Sequence, residues 1–331
     1  MIRQRLSFAL LAAVLCSASC SRPHSSSKEL PSPLRVAIDQ FVGFAPVFVA
    51  SEEHFFSQRG LTVEALPILD TAQRTTAFAS GRVDAICTTL DSLLLTGTKG
   101  VDLVIVFAVD ESKGADGILT SPSIRKPTDL KGKRVAFQEA MPSHFLLLWY
   151  LNANGMNADD VQRINMNADD AGAAFIAGKV DAAVTWEPWL SRAKEAGKGR
   201  LLTSTADLPG VLVDVLAVRR AVLVNRPEAV QALYAGWMDA IDFYNKSPDV
   251  AVSVMSKNLK LDEKEVRLNA STLLFADRSF NNQFFKRDAK DSAWTLAAQA
   301  VKIWQGAGLM PAGQNSDQFI SDQIVKGPVR K

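Results

Sequence analysis

Short apolar runs alternate with amphipathic stretches over the first two thirds of the chain, and the apolar period switches from strand-like to helix-like each time. Leu34 to Ile38 predicts a strand. Phe44, Val47, Phe48 and Phe55 then share one helical face, with Pro46 in the first turn and Gly60 suited to a left-handed stop. Leu61 to Leu66 predicts the next strand, Thr71 to Ser80 a helix stopped by Gly81, and Val83 to Cys87 a third strand.

The same order returns further on, as Arg134 to Phe137, Ser143 to Asn154 closed by Gly155, Val161 to Ile164, Ala168 to Ala177 closed by Gly178, and Asp181 to Val184. Residues correspond as well as pattern. Ala77 to Ala85 matches Ala174 to Ala182, Thr88 matches Thr185, Arg35-Val36-Ala37 matches Arg134-Val135-Ala136, and Gly60 matches Gly155, always 95 to 99 residues apart. Ordered matches at a near-constant offset make two related units. Alternating strands and helices with short links predict parallel sheets covered by helices, hence two α/β lobes. Further strands are expected at Leu103 to Val109, Gly117 to Thr120, Leu201 to Ser204 and Val211 to Val218. The polar stretch Asp110 to Asp116 suits one crossover between lobes, and Leu208-Pro209-Gly210 the return.

Beyond Arg219 the period is helical throughout. Asn225 with Glu228 predicts a helix start, and Val230, Leu233, Tyr234, Trp237, Ile241 and Tyr244 form its stripe. Ser247-Pro248 opens another helix, Asp262 and Glu265 form a capping-box pattern, and Trp294 to Trp304 mark a last amphipathic helix whose tryptophans belong to the core. The expected division is residues 1–19 export signal, 20–33 tether, 34–113 first lobe, 114–208 second lobe, and 209–331 return and C-terminal helices.

The front of the chain reads differently. Arg3 and Arg5 precede an apolar run of 11 residues, Leu6 to Cys16, followed by small residues. Such a run is too short for a bilayer, which needs about 20 residues, and has the form of a signal peptide. Ser17-Ala18-Ser19-Cys20 then resembles a lipobox, although Ser17 stands where Leu is usual. Cys20 is therefore the expected lipidation site, with plain cleavage as the alternative. Ser21 to Pro33, holding five Ser and three Pro, reads as a flexible tether. Of three cysteines only Cys87 then remains, in an apolar run, where a small buried hydrophobe is the simplest reading.

Charge and motif content narrow the function. With 37 basic and 35 acidic residues the net charge is +2, no footprint for nucleic acid. There is no G-x-S-x-G elbow, H-E-x-x-H, C-x-x-C, Walker A or G-x-G-x-x-G motif. The expectation is a binding protein without catalytic residues, metal or cofactor. In open parallel sheets ligands lie beyond the carboxyl ends of strands, against helix N-termini. That rule places Phe44, Thr88, Thr89, Asp110, Glu111, Ser143, His144, Trp186, Glu187 and Asp214 on loops facing a cleft. Asp39, Asp91 and Glu139 add to an acidic rim against Lys113 alone, which favours a small ligand carrying an amino group beside an anionic or polar end. Glu187 has a second reading as a cap of the helix after Pro188.

Gly43-Phe44-Ala45-Pro46 with Val49-Ala50 and Phe55-Phe56, Gly60 to Glu64, Asp129 to Ala136, and Ala174 to Ala183 followed by Thr185-Trp186-Glu187-Pro188 together resemble the nitrate/taurine/aliphatic-sulfonate family of ABC-transporter substrate-binding proteins. The resemblance runs from about Leu34 to Phe243. It implies a two-lobed type II periplasmic-binding-protein fold with a helical C-terminal region. It also implies a monomer in the periplasm that hands a small solute to an inner-membrane ABC permease with its cytoplasmic ATPase. Taurine or another sulfonate is the favoured ligand. An aminopyrimidine of the thiamine-precursor type, nitrate and bicarbonate are the alternatives, as is an enzyme on the same fold such as a pyrimidine synthase or chorismate dehydratase. A sensory binding module would need the same cleft.

Overall fold

A computed structural model describes residues 32–327. The expected signal peptide, the expected lipid site Cys20 and the tether up to residue 31 lie outside the described residues. Eleven strands form among those described: β1 (Leu34–Ile38), β2 (Val63–Pro67), β3 (Ala85–Thr89), β4 (Leu103–Ser112), β5 (Asp116–Thr120), β6 (Arg134–Phe137), β7 (Gln162–Asn165), β8 (Ala182–Trp186), β9 (Arg200–Ser204), β10 (Val213–Arg219) and β11 (Leu273–Phe275). They build two sheets, in the orders β11-β4-β10-β3-β1-β2 and β7-β6-β8-β5-β9.

The internal repeat is visible in the register. Val36 pairs with Ala85 across β1 and β3, and Val135 with Ala182 across β6 and β8. Each unit carries the same clamp. Asp84 accepts from the backbone N–H of Arg35 at 3.0 Å and from its guanidinium at 3.3 Å, and Asp181 accepts from Arg134 at 2.9 and 3.1 Å in the same way. Arg219 adds a second cation to Asp84 at 3.0 Å. Burial presses upward on the Asp84 carboxyl as its largest influence, but the bonds from Arg35 and Arg219 together hold its pKa below the ordinary value.

The sheets are mixed rather than parallel. Within each, β1, β2 and β3, or β6, β7 and β8, are parallel as expected, but β10 runs antiparallel to β3 and β4, and β5 antiparallel to β8 and β9. The reason is connectivity. β5 and β10 are the strands by which the chain enters a sheet from the other lobe, so they begin at the edge where their neighbours end. A further correction concerns Asp110 and Glu111, expected in a crossover loop. Both belong to β4, which continues to Ser112, leaving Lys113 to Ala115 as the link.

Helices cover the sheets and complete the core. The helix Pro227–Lys246 puts Trp237 against Phe107 of β4, ring centroids 5.8 Å apart, and Ala293–Gly306 puts Trp304 against Phe145 at 5.4 Å. Both indoles are fully buried, as their stripes predict. Asp262 caps its helix through the Glu265 N–H at 2.7 Å. Asn225 does not cap one: it ends the short helix Arg220–Asn225, and Arg226 stands at the next start without a side-chain bond, Pro227 taking the first position. Cys87 is buried and free, its thiol pKa raised by burial first and by the nearby Asp214 next. No described helix is long and apolar enough to cross a membrane.

Candidate functional site

The carboxyl ends of β1, β3 and β8 and the start of β10 converge on one cavity, walled by Asp39, Phe41, Phe44, Thr71, Arg74, Thr88, Thr89, Asp116, Pro142, Trp186 and Asp214. Residues of both sheets contribute. Asp116, Pro142 and Trp186 come from the second, and the remainder from the first. Trp186, Asp39 and Phe41 also line a neighbouring hollow with Asp169, Glu187, Pro188, Trp189 and Arg192. Side-chain hydrogen bonds bridge the sheets' flanks, with Gln138 donating to Asp70 at 3.2 Å and Arg192 to Glu265 at 3.0 Å.

Of the residues expected from sequence, Phe44, Thr88, Thr89, Trp186 and Asp214 come together on the cavity wall. Asp110 lies directly behind it. Its carboxylate crowds Gly43, where even a methyl group would collide with it and with the Phe41 ring. That close approach explains a glycine between two cavity aromatics. Glu111 is turned to the crossover, accepting from Lys113 at 2.6 Å and from the Gly210 N–H at 2.7 Å. Ser143 accepts from the Gln138 N–H at 3.0 Å, shaping the loop before Pro142. Glu187 accepts from the N–H and hydroxyl of Ser191 at 3.0 and 2.9 Å, the helix-capping arrangement, while also lining the neighbouring hollow.

His144 is buried away from the cavity wall. Its Nδ1 accepts from the Ala140 N–H at 3.1 Å and its ring stacks on Phe137 at 4.7 Å. Burial, and then the charge of Arg163, push its pKa from 6.5 down to about 4. The native state therefore binds fewer protons here than the unfolded chain, so this group's stabilisation is present above pH 6.5 and is lost as pH falls toward 4. His144→Gln, which can still accept from Ala140, should flatten the melting temperature in that window. Parallel curves for the two proteins would contradict this.

The sequence reading did not single out Arg74, Thr71, Phe41, Pro142 or Asp116. Arg74 is the buried cation of the cavity, 2% exposed, bonded to Asp39 at 2.8 Å and to the Ile68 carbonyl at 2.8 Å, with Nε left unpartnered. Asp70 caps its helix, Thr71–Ala79, through the Gln73 N–H. The signal was available: β2 ends at the same edge as β1, so the loop after β2 obeys the carboxyl-end rule too. Asp116 accepts from Ser112 Oγ at 2.6 Å, which also contacts Thr205 Oγ1 at 2.6 Å, so a wall residue is tied to both crossovers.

Carboxyl groups dominate the electrostatics. Burial raises the pKa of Asp116 to about 6, opposed by Ser112 and aided by Asp39 and Glu187. Asp91, at the start of the helix Leu90–Thr98, is raised to about 7 by burial against bonds from Thr89 and Ser92. Asp110 and Asp214 are pushed well above the ordinary carboxyl value, each by burial first and then by neighbouring acids. No group of three or more His, Cys, Asp or Glu among the described residues is placed to hold a metal ion.

A family model described as NMT1/THI5 like matches residues 42–251, which include most of this wall. The chain belongs to that family. A binding protein of Brucella abortus (strain 2308) is 26% identical over 242 residues, covering 72% of this chain and 75% of the relative. The taurine-binding periplasmic protein of Escherichia coli (strain K12) is 27% identical over 209 residues, covering 62% and 65%. Among solved structures, the alkanesulfonate-binding protein SsuA from Xanthomonas axonopodis pv. citri bound to MOPS superposes with a TM-score of 0.74 at 20% identity, covering 88% of this chain and 99% of that one. The NMT1/THI5-like chain thus has the two-lobed periplasmic-binding-protein fold.

Proposed function

We propose that this protein is the periplasmic solute-binding component of an ABC importer and that it captures a small amino-sulfonate, of which taurine is the simplest, between its lobes. The observation that carries the reading is Asp214. Its carboxylate lines the cavity at 7% residue exposure with Asp110 behind it, so this end of the site asks for a cationic donor. The same cavity offers what a sulfonate needs: the guanidinium of Arg74, the hydroxyls of Thr71 and Thr88, and the N-terminus of the helix Thr71–Ala79. Phe41, Phe44 and Trp186 supply apolar walls for the carbons between. The taurine-binding name of the Escherichia coli relative agrees with this assignment. Nothing in the reading calls for turnover, and the ligand leaves unchanged.

Closure would turn on the crossovers at Lys113 to Ala115 and at Thr205 to Leu212, moving residues 114–208 against 34–113 and 209–331. A thermal-shift screen of taurine, ethanesulfonate, nitrate, bicarbonate and an aminopyrimidine tests the ligand. Taurine at a hundredfold excess over its Kd should stabilise by about 2.7 kcal/mol, and ethanesulfonate, lacking the amine, should do far less. A shift with the aminopyrimidine alone would replace the sulfonate by a flat ring against Trp186. Equal response to taurine and ethanesulfonate would defeat the role given to Asp214.

A further inference from the structure

Asp110 and Asp214 are direct cross-strand partners in the β4–β10 ladder, so their side chains leave the sheet on one face. Asp110 is fully buried, and neither of its carboxylate oxygens has a hydrogen-bond partner among the described residues. The group within bonding reach of it is Asp214, another acceptor, itself buried and facing the cavity. Two ionised carboxylates cannot donate to each other, and placing both charges in this position without a cation is costly. The groups around them make the imbalance worse. Asp116 of β5 and Asp39 after β1 add negative charge, Cys87 of β3 contributes a neutral thiol, Glu111 of β4 is offset by Lys113, and Arg74 is already held by Asp39. β11 and the turn Val42–Phe44, which also pack here, contribute no charged side chain.

Building on the amino-solute reading above, we propose that Asp110 and Asp214 share one proton in the empty protein and release it when the ligand's ammonium group takes its place. The exchange balances. A singly charged, once-protonated pair and an ammonium ion become a doubly charged pair holding that ammonium, plus one proton given to solvent. The pair thereby acts as a selectivity filter: a neutral or anionic solute gains nothing from displacing the proton. It also makes capture pH-dependent, with affinity rising about tenfold per pH unit wherever the empty pair is protonated.

Titration calorimetry with taurine in two buffers of different ionisation enthalpy should give about one proton released per ligand. Asp110→Asn should bring the release near zero and weaken taurine at least tenfold. Asp214→Asn serves as the second variant, and urea unfolding confirms that each variant folds. Taurine binding with no proton released would overturn the pair while leaving the ligand reading intact. Release with another small amine but no taurine binding would keep the pair and discard taurine. Independently of any ligand, infrared spectra of the empty protein at neutral pH should show a buried protonated carboxyl that disappears in Asp110→Asn, and its absence from the wild-type protein would also overturn the proposal.

Discussion

Arg74→Met is expected to destabilise the empty protein by about 3 to 5 kcal/mol, the range for breaking a buried ion pair from one side. The guanidinium is the partner of Asp39, whose side chain is 15% exposed, and of the Ile68 carbonyl. Methionine fills the space but donates nothing. Asp39 would then join Asp110, Asp116 and Asp214 in an acid-rich cavity with no compensating charge. Asp39→Asn in the Arg74→Met background should recover part of the loss, because it removes the orphaned charge. Urea unfolding of the single and double variants measures both effects. A loss below about 1 kcal/mol for Arg74→Met would mean that water solvates Asp39 adequately, as at a surface pair.

Trp186→Ala should have the opposite signature, weakening ligand binding roughly a hundredfold, near 3 kcal/mol, with little change in the melting temperature of the empty protein. Trp186 ends β8, is only partly buried, and borders both the cavity and the neighbouring hollow. Its ring therefore has an open side for a ligand to cover. Trp237 and Trp304, with no open side, would instead register chiefly as stability. Calorimetric affinity beside thermal melts separates the two roles. An equal loss of affinity and stability would assign Trp186 to the core.

Residue types at strand ends explain which parts of the site were legible in the sequence. Thr88, Asp214 and Trp186 follow or close apolar runs, so the strand pattern announces their position. Arg74 gives no such sign. It is a cation in a mostly polar helix, and only the packing of that helix over the end of β1 turns it inward. Asp110 was found for a partly mistaken reason: placed in a crossover loop, it is a buried strand residue whose importance comes from its neighbour in β10. His144 and Glu111 were reasonable by position but are engaged elsewhere, because a hydrogen-bonding side chain takes the nearest unpaired backbone group, Ala140 and Gly210 here.

By itself the sequence determined the duplicated strand-helix units and the existence of crossovers. These rest on periodicity and on residues recurring at a constant offset, which are local properties repeated along the chain. Only the tertiary structure decided that β5 and β10 run against their neighbours, that Arg74 is buried with Asp39, and that two carboxylates over a hundred residues apart face each other without a donor. The first and last depend on which strand enters each sheet from the far lobe, and the burial of Arg74 on how its helix packs over the end of β1, contacts between separated segments that no local pattern encodes.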